Sequence, residues 1–150
     1  GGNIMALLGG GNQWSMPVIG GYVGNITSTY GSWGSYNTSH YRWVLPAAGT
    51  YELHASVRVR AWGSTGFTKF RILRASDSHA YGSTDNVKMG FEQNNNATQI
   101  NCQIHQIWKV TTTSSETFYL QGRAMVTDTS NHSLQSDTNG RPELFWRRLN

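Results

Sequence analysis

The side chains able to do chemistry are few and scattered. Eight carboxylates (Glu52, Asp77, Asp85, Glu92, Glu116, Asp128, Asp137 and Glu143) are spread over 150 residues. No two stand at i, i+2, the spacing that aims both from one strand face. Cleavage of a glycosidic bond needs two facing acids, and no adjacent pair supplies them. Five histidines, at 40, 54, 79, 105 and 132, form no HxH or HxxxH pair. His105 is the candidate for a metal site assembled from three copies on a symmetry axis; the preferred reading is a strand-face histidine bonded to a neighbour. Cys102 is the single cysteine. It shares an apolar strand face with Ile100 and Ile104, as a small buried thiol does, and no GxSxG motif offers another nucleophile. The expectation is a chain without catalytic residues, metal or cofactor.

Binding chemistry is better represented. In residues 24–40, GNITSTYGSWGSYNTSH, twelve of seventeen are Gly, Ser, Thr or Asn, with Tyr30, Trp33 and Tyr36 set among them. Rigid aromatics amid small polar groups make contact at low entropic cost, and sugar rings stack their C–H faces on such rings. The alternative, a crossover loop packing its aromatics on its own domain, stays open. Twelve Lys and Arg against eight Asp and Glu give a net charge of +4 and a pI near 9.5. Residues 42–74 sum to +5, residues 75–140 to −3 and residues 141–150 to +2. Arg58 and Arg60 alternate on one strand face, with Lys69 and Arg71 on the strand expected beside it. Such a stripe can hold an anionic polysaccharide or a lipopolysaccharide phosphate; a solvated or subunit-facing surface is the preferred reading. Basicity is too weak, and aromatics too little interleaved with it, for a nucleic-acid site. Eight glycines fall in the first 24 residues, but no GxxxxGK[ST] accompanies them, so they read as turns and not as a phosphate loop.

The elements that must hold these groups are strands. Charged residues are only 13% of the chain, about half the usual share, while Ser, Thr, Asn and Gln make up 49 of 150. Six Trp, seven Tyr and five Phe supply large buriable surfaces for a thin core. Period-two alternation runs over residues 51–61, 67–75, 100–110 and 118–126, and residues 141–149 read as a last strand. Residues 46–49, Pro-Ala-Ala-Gly, interrupt the first run as a bend or bulge would. Asn139 and Gly140 read as a hairpin turn. No window repeats at helical spacing, so an all-β sandwich or barrel is expected. One domain is expected: residues 1–22 as a Gly-rich lead-in and first strand, residues 23–150 as the folded head. No apolar run approaches membrane-spanning length, and no signal peptide is visible. The first residue is Gly, as in a processed product or a cut domain. One cysteine without a partner points to folding in a reducing compartment.

At residues 41–60 a resemblance emerges. LPAAGTYELHASVRV is similar to the "P-x-x-G-x-Y" strand of the complement globular head and tumour-necrosis-factor-like jelly rolls. FRILRAS resembles the next strand, WKVTTTSSETFYLQ the strands across that family's tight turn, and GRPELFWRRL its closing strand. The resemblance covers roughly residues 41–149. It departs from the pattern at residues 114–116, where Ser-Ser-Glu replaces the usual Gly-Asp, and in lacking an aspartate cluster for calcium. The Ser/Thr/Asn-rich character is similar to the short versions at the tips of bacteriophage tail or head fibres.

The resemblance implies an antiparallel jelly-roll sandwich and a homotrimer. It implies a non-enzymatic tip domain of a virion fibre, folded in the host cytoplasm. Such a tip joins other fibre components through its N-terminus and attaches to host-surface polysaccharide or lipopolysaccharide without membrane insertion. A decoration knob on the virion and a jelly-roll enzyme acting on surface polysaccharide are the alternatives. Tyr119 and Phe145 are the expected trimer contacts, with Trp146 if the last strand is shifted by one. Alternating hairpin connections would gather residues 24–40, 76–86, 111–116 and 137–140 at one end. The expected receptor surface is then Tyr30, Trp33, Tyr36, Asn37, His79, Tyr81, Asp85, Asn86, Asp137 and Asn139. Arg58 and Arg60 form the alternative site on the flank.

Overall fold

The structure is a computed structural model, and it describes residues 12–15, 22–26, 33–61, 66–81, 87–93, 100–126, 132–136 and 140–150. Twelve strands and no helix are found among them: β1 (Asn12–Ser15), β2 (Tyr22–Ile26), β3 (Gly34–Ser35), β4 (Arg42–Leu45), β5 (Gly49–Ala61), β6 (Gly66–Arg74), β7 (His79–Tyr81), β8 (Lys88–Gln93), β9 (Ile100–Thr112), β10 (Glu116–Val126), β11 (His132–Gln135) and β12 (Glu143–Arg148). They form two antiparallel sheets. In the first, β9 runs along one edge of β5 from Gly49↔Thr112 to Ala61↔Ile100. The other edge of β5 carries β12 and β11 end to end, and these in turn pair with β1 and β2. In the second sheet β10 is flanked by β6 on one side and by β4 and β3 end to end on the other. Beyond β6 come β7 and β8, again in one row. Eight rows in two antiparallel sheets give an all-β, jelly-roll-like fold.

Alternation decides which face each strand buries. On β5, Tyr51, Leu53, Ala55, Val57 and Val59 are buried while the residues between them turn outward. Phe70 and Ile72 on β6 and Phe118 and Leu120 on β10 do the same from the second sheet, and all join one core. Two indoles tie the sheets together. The Trp43 ring meets Trp108 edge-on at 6.0 Å, and its Nε1 donates to the carbonyls of His54 (3.0 Å) and Phe145 (3.1 Å). Trp146 Nε1 donates in the opposite sense to the carbonyl of Val44, at 3.1 Å.

Two sequence expectations are corrected here. Residues 46–49 are not a bulge within one strand. Pro46 has no N–H to continue the ladder, so β4 ends at Leu45 and the chain crosses to the other sheet. Tyr51 Oη donates to the carbonyl of Ala47 (2.8 Å) and Arg148 Nη2 to that of Ala48 (2.6 Å), which fixes the crossing. The hairpin expected at Asn139 and Gly140 does not join β11 to β12, which pair with the same edge of β5 and not with each other; Asn139 itself lies outside the described residues.

Two positions are held by unusual local geometry. A Cβ on Gly90 would stand 2.7 Å from Cε2 of the buried Phe70 and 3.1 Å from the carbonyl of Thr68. Gly90→Ala is therefore expected to cost about 1–3 kcal/mol by overpacking, read as a lower urea midpoint. In the turn between β6 and β7, Ser78 has φ 57°, the left-handed region that penalises a Cβ. The Asp77 carboxylate fixes this turn: Arg74 donates to both its oxygens (3.0 and 2.6 Å) and the His79 N–H to one of them (3.0 Å). Those bonds, Arg74 first, hold the Asp77 carboxyl far below the usual carboxylate range. Its contribution is present above the ordinary carboxylate pKa and is lost only as pH falls through the lowered value. Ser78→Gly is expected to gain about 0.5–1 kcal/mol by relieving the backbone, seen as a small rise in melting temperature.

Candidate ligand-binding face

The outer face of the second sheet concentrates cations. Phe70, Ile72 and Leu120 point into the core, so Lys69 and Arg71 on β6 and Gln121 and Arg123 on β10 must point out. Register sets Lys69 directly opposite Arg123 and Arg71 opposite Gln121, and Gln121 is also paired with Ser35 of β3. Arg71 Nε donates to Gln121 Oε1 (2.7 Å), and Gln121 Nε2 donates to Ser35 Oγ (3.0 Å). The Arg71 guanidinium lies 4.4 Å from the centroid of the Trp33 ring, a cation–π contact. Trp33 immediately precedes Gly34, which pairs with Gly122. Arg123 Nε is buried without a hydrogen-bond partner. Burial, and then the charge of Arg123, push the Arg71 pKa down. Ion pairs among the described residues join Glu52 with His54 and with Arg147, and Arg74 with Asp77; none reaches this cluster. An aromatic ring, a hydroxyl and three cations thus share one face, with the buried Gln121 amide bonded between Arg71 and Ser35.

The outer face of the first sheet carries a different array. His54 Nδ1 is 3.1 Å from His105 Nε2, and His54 Nε2 is 3.3 Å from Glu52 Oε1, which also accepts from Arg147 Nη2 at 3.0 Å. Phe145 stacks on His54 at 4.3 Å between centroids. His105 is thus bonded to a neighbour, and no three ligating groups converge among the described residues. Beside it Ile107 is 42% exposed. Arg58 and Arg60 turn outward from β5, half-buried, and both are partnered, Arg58 reaching the Gly140 carbonyl at 3.5 Å. β5 and β6 belong to different sheets, so Arg58 and Arg60 do not continue the Lys69–Arg71 row. The expected stripe is two separate groups on two faces.

The residues expected at one end are not brought together. Strand directions place Asn12, Gly49, Thr112 and Arg148 at one end and Ile26, Ala61, Ile100 and His132 at the other. Once residues 46–48 count as a connection, the turns at 75–78 and 113–115 fall at the end that holds Asn12 and Arg148. His79 and Tyr81 therefore lie there: the Tyr81 hydroxyl accepts from Arg74 (2.9 Å) and its ring packs on Phe118. Tyr36 is only 3% exposed and lies in the core against Tyr41 and Phe70, where it meets no ligand. Asn37 is exposed, but its Oδ1 accepts from the Ser39 N–H (3.0 Å) in a turn between β3 and β4. Tyr30, Asp85, Asn86, Asp137 and Asn139 lie outside the described residues. Of the expected residues that are described, Trp33 alone joins the cationic face.

Three further expectations are resolved. Tyr119 and Phe145 lie on opposite outer faces, since Tyr119 pairs with Leu73 and Phe145 with His54. Trp146 is buried. Cys102 is a free thiol but half-buried, packed at the margin of the core. At the end carrying residues 75–78 an open groove of about 370 Å³ is lined by Val44, Ser76, Glu116 and Tyr119; Glu116 is already bonded to Ser76 Oγ at 2.6 Å. The sequence reading missed Arg123, Gln121 and Ser35. Their outward direction is readable from the alternation around Leu120, but their meeting with β3 and β6 is a matter of register.

No family model and no curated protein matches the sequence. Solved structures do. Dimeric latent PorU from Porphyromonas gingivalis matches 93% of this chain at 9% identity and a TM-score of 0.52, and infectious bursal disease virus, Gx strain, matches 93% at 7% identity and 0.51. The matches span 14% and 38% of those chains. A tumour necrosis factor, Eiger from S. frugiperda, is matched over 91% of this chain and 94% of its own, at 10% identity and a TM-score of 0.39. The first two likenesses show the fold and nothing further.

Proposed function

We propose that this chain is the receptor-binding head of a virion fibre, a jelly-roll sandwich that attaches to polysaccharide on a host surface. The observation that carries the reading is the platform on the second sheet: the Trp33 ring against Arg71, with Gln121 and Ser35 locked beside it. Ring faces and rigid planar hydrogen-bonding groups are what a sugar chain needs from a shallow surface. A fold shared with a virus particle protein and the resemblance to fibre tips support the virion setting. The head acts as a homotrimer, with the outer face of the first sheet, centred on exposed Ile107, turned inward. Three shallow sites then act together on one surface. Catalysis forms no part of the proposal.

The test is adsorption of the purified domain to a panel of bacterial cells and surface glycans. Wild type is expected to bind at least one strain, and Trp33→Ala to lose binding at least about tenfold while its melting temperature stays within a few degrees, since Trp33 is a half-buried surface ring. Binding to no strain, or equal binding by the variant, counts against the reading.

A further inference from the structure

We infer that the outer face of the second sheet holds an oxyanion group of an acidic polysaccharide, gripped between Lys69, Arg71 and Arg123. This deepens the glycan-binding reading and rests on it for the polymer that carries the anion. Lys69 and Arg123 are direct cross-strand partners and Arg71 is their diagonal neighbour. Like charges directly opposite on one sheet face repel, and a protein normally relieves such a cluster with a carboxylate. Among the residues whose side chains are described, no carboxylate is paired with the cluster: Asp77 is engaged by Arg74, Glu116 by Ser76, and Glu52 by His54 and Arg147, while Glu143 lies on the first sheet.

Arg123 Nε is withdrawn from water with no acceptor, and a buried unsatisfied donor on a charged group is costly. Arg71 commits Nε to Gln121 and its flat face to Trp33, which leaves the edge carrying its two Nη groups. Guanidinium edges of this kind match the paired oxygens of a carboxylate, phosphate or sulfate. The guanidinium edges of Arg71 and Arg123 are therefore already ordered to meet a negative group. Gln121 and Trp33 hold Arg71 in place, and Lys69 closes the third side, 5.1 Å from the Phe67 ring centroid. A bound anion opposes, by its charge, the desolvation that pushes the Arg71 pKa down.

The ligand is a sugar chain rather than a single-stranded nucleic acid. Binding of the latter relies on successive aromatic platforms along a groove, whereas the described rings beside this cluster, Trp33 and Phe67, each lie against a cation, Arg71 and Lys69.

The experiment is titration calorimetry of the whole chain with polygalacturonate, dextran sulfate and neutral dextran at low salt. A single-stranded oligonucleotide is the fourth titrant. Polygalacturonate or dextran sulfate is expected to bind and neutral dextran not to; which polyanion binds more tightly separates carboxylate from sulfate-type recognition. Arg123→Gln and Lys69→Gln should each weaken binding about tenfold or more, as loss of a charge-assisted contact does. Arg58→Gln should leave it unchanged. Because these side chains repel one another, neither variant should melt below wild type. Equal binding by Arg123→Gln, binding of neutral dextran as tight as that of the polyanions, or tighter binding of the oligonucleotide overturns the inference. Cell adsorption distinguishes the two proposals. If Trp33-dependent adsorption persists while no polyanion binds, the anion site is wrong and the receptor reading stands. If the polyanions bind through Arg123 and no cell type is bound, the anion site stands and the receptor reading fails.

Discussion

Trp43→Ala is expected to destabilise the fold by about 3–5 kcal/mol, the range for truncating a buried aromatic, and to lower the melting temperature by about 10 °C or more. Trp43 is 1% exposed, and removing it empties the space against Trp108. It also strips a donor from the carbonyls of His54 and Phe145, where β5 and β12 run side by side. Trp43→Phe separates the two effects. It keeps most of the ring and loses the N–H, so about 1–2 kcal/mol is expected. Chemical denaturation of both variants checks the ranking; a phenylalanine as costly as alanine would assign the effect to the hydrogen bonds alone.

Ile107→Glu is expected to dissociate the proposed homotrimer, raising its dissociation constant at least about a hundredfold, because a carboxylate buried without a partner costs several kcal/mol. The face around Ile107 is suited to burial. Its histidine pair, Phe145 and the Glu52–Arg147 ion pair satisfy one another across adjacent strands, leaving an apolar side chain to seek cover. Sedimentation velocity at micromolar concentration reads the result. A wild-type chain that sediments as a monomer refutes the assembly. A variant that remains trimeric moves the contact elsewhere. Monomer stability is expected to be unchanged, since Ile107 points away from the core.

The long strands are legible in the sequence because their alternation is long. Tyr51 to Ala61, Phe67 to Leu73, Ile100 to Val110 and Phe118 to Val126 each repeat with period two and coincide with β5, β6, β9 and β10. What alternation cannot show is which sheet a strand joins. Residues 42–45 and 49–61 share one apolar rhythm on either side of Pro46, yet lie in different sheets. That single crossing shifts every later connection to the other end of the molecule and separates Tyr81 from Trp33. Tyr36 is indistinguishable by composition from its loop neighbours, and only the space beside Phe70 decides that it is core. The cationic face was half visible. Lys69 and Arg71 stand out at i, i+2, but Arg123 is a lone cation some fifty residues away, and only the pairing of β6 with β10 makes it their neighbour.

The end-to-end arrangement of strands on either side of β5 bears on how the chain finds its structure. β5 is complete only when β9, β11 and β12 have all arrived, and these begin at Ile100, His132 and Glu143. β1 pairs with β12 across nearly the whole sequence. Among the described ladders, the pairing of β6 with β7 around residues 75–78 is the one tight hairpin. Loop-closure entropy must therefore be overcome before most ladders can form, and topologies of this kind fold in milliseconds to seconds rather than microseconds. During that interval the edges of β5 and β10 are unpaired. A nascent chain in this state is prone to pair with another copy of itself, so refolding yield should fall steeply with protein concentration even where the finished fold is stable.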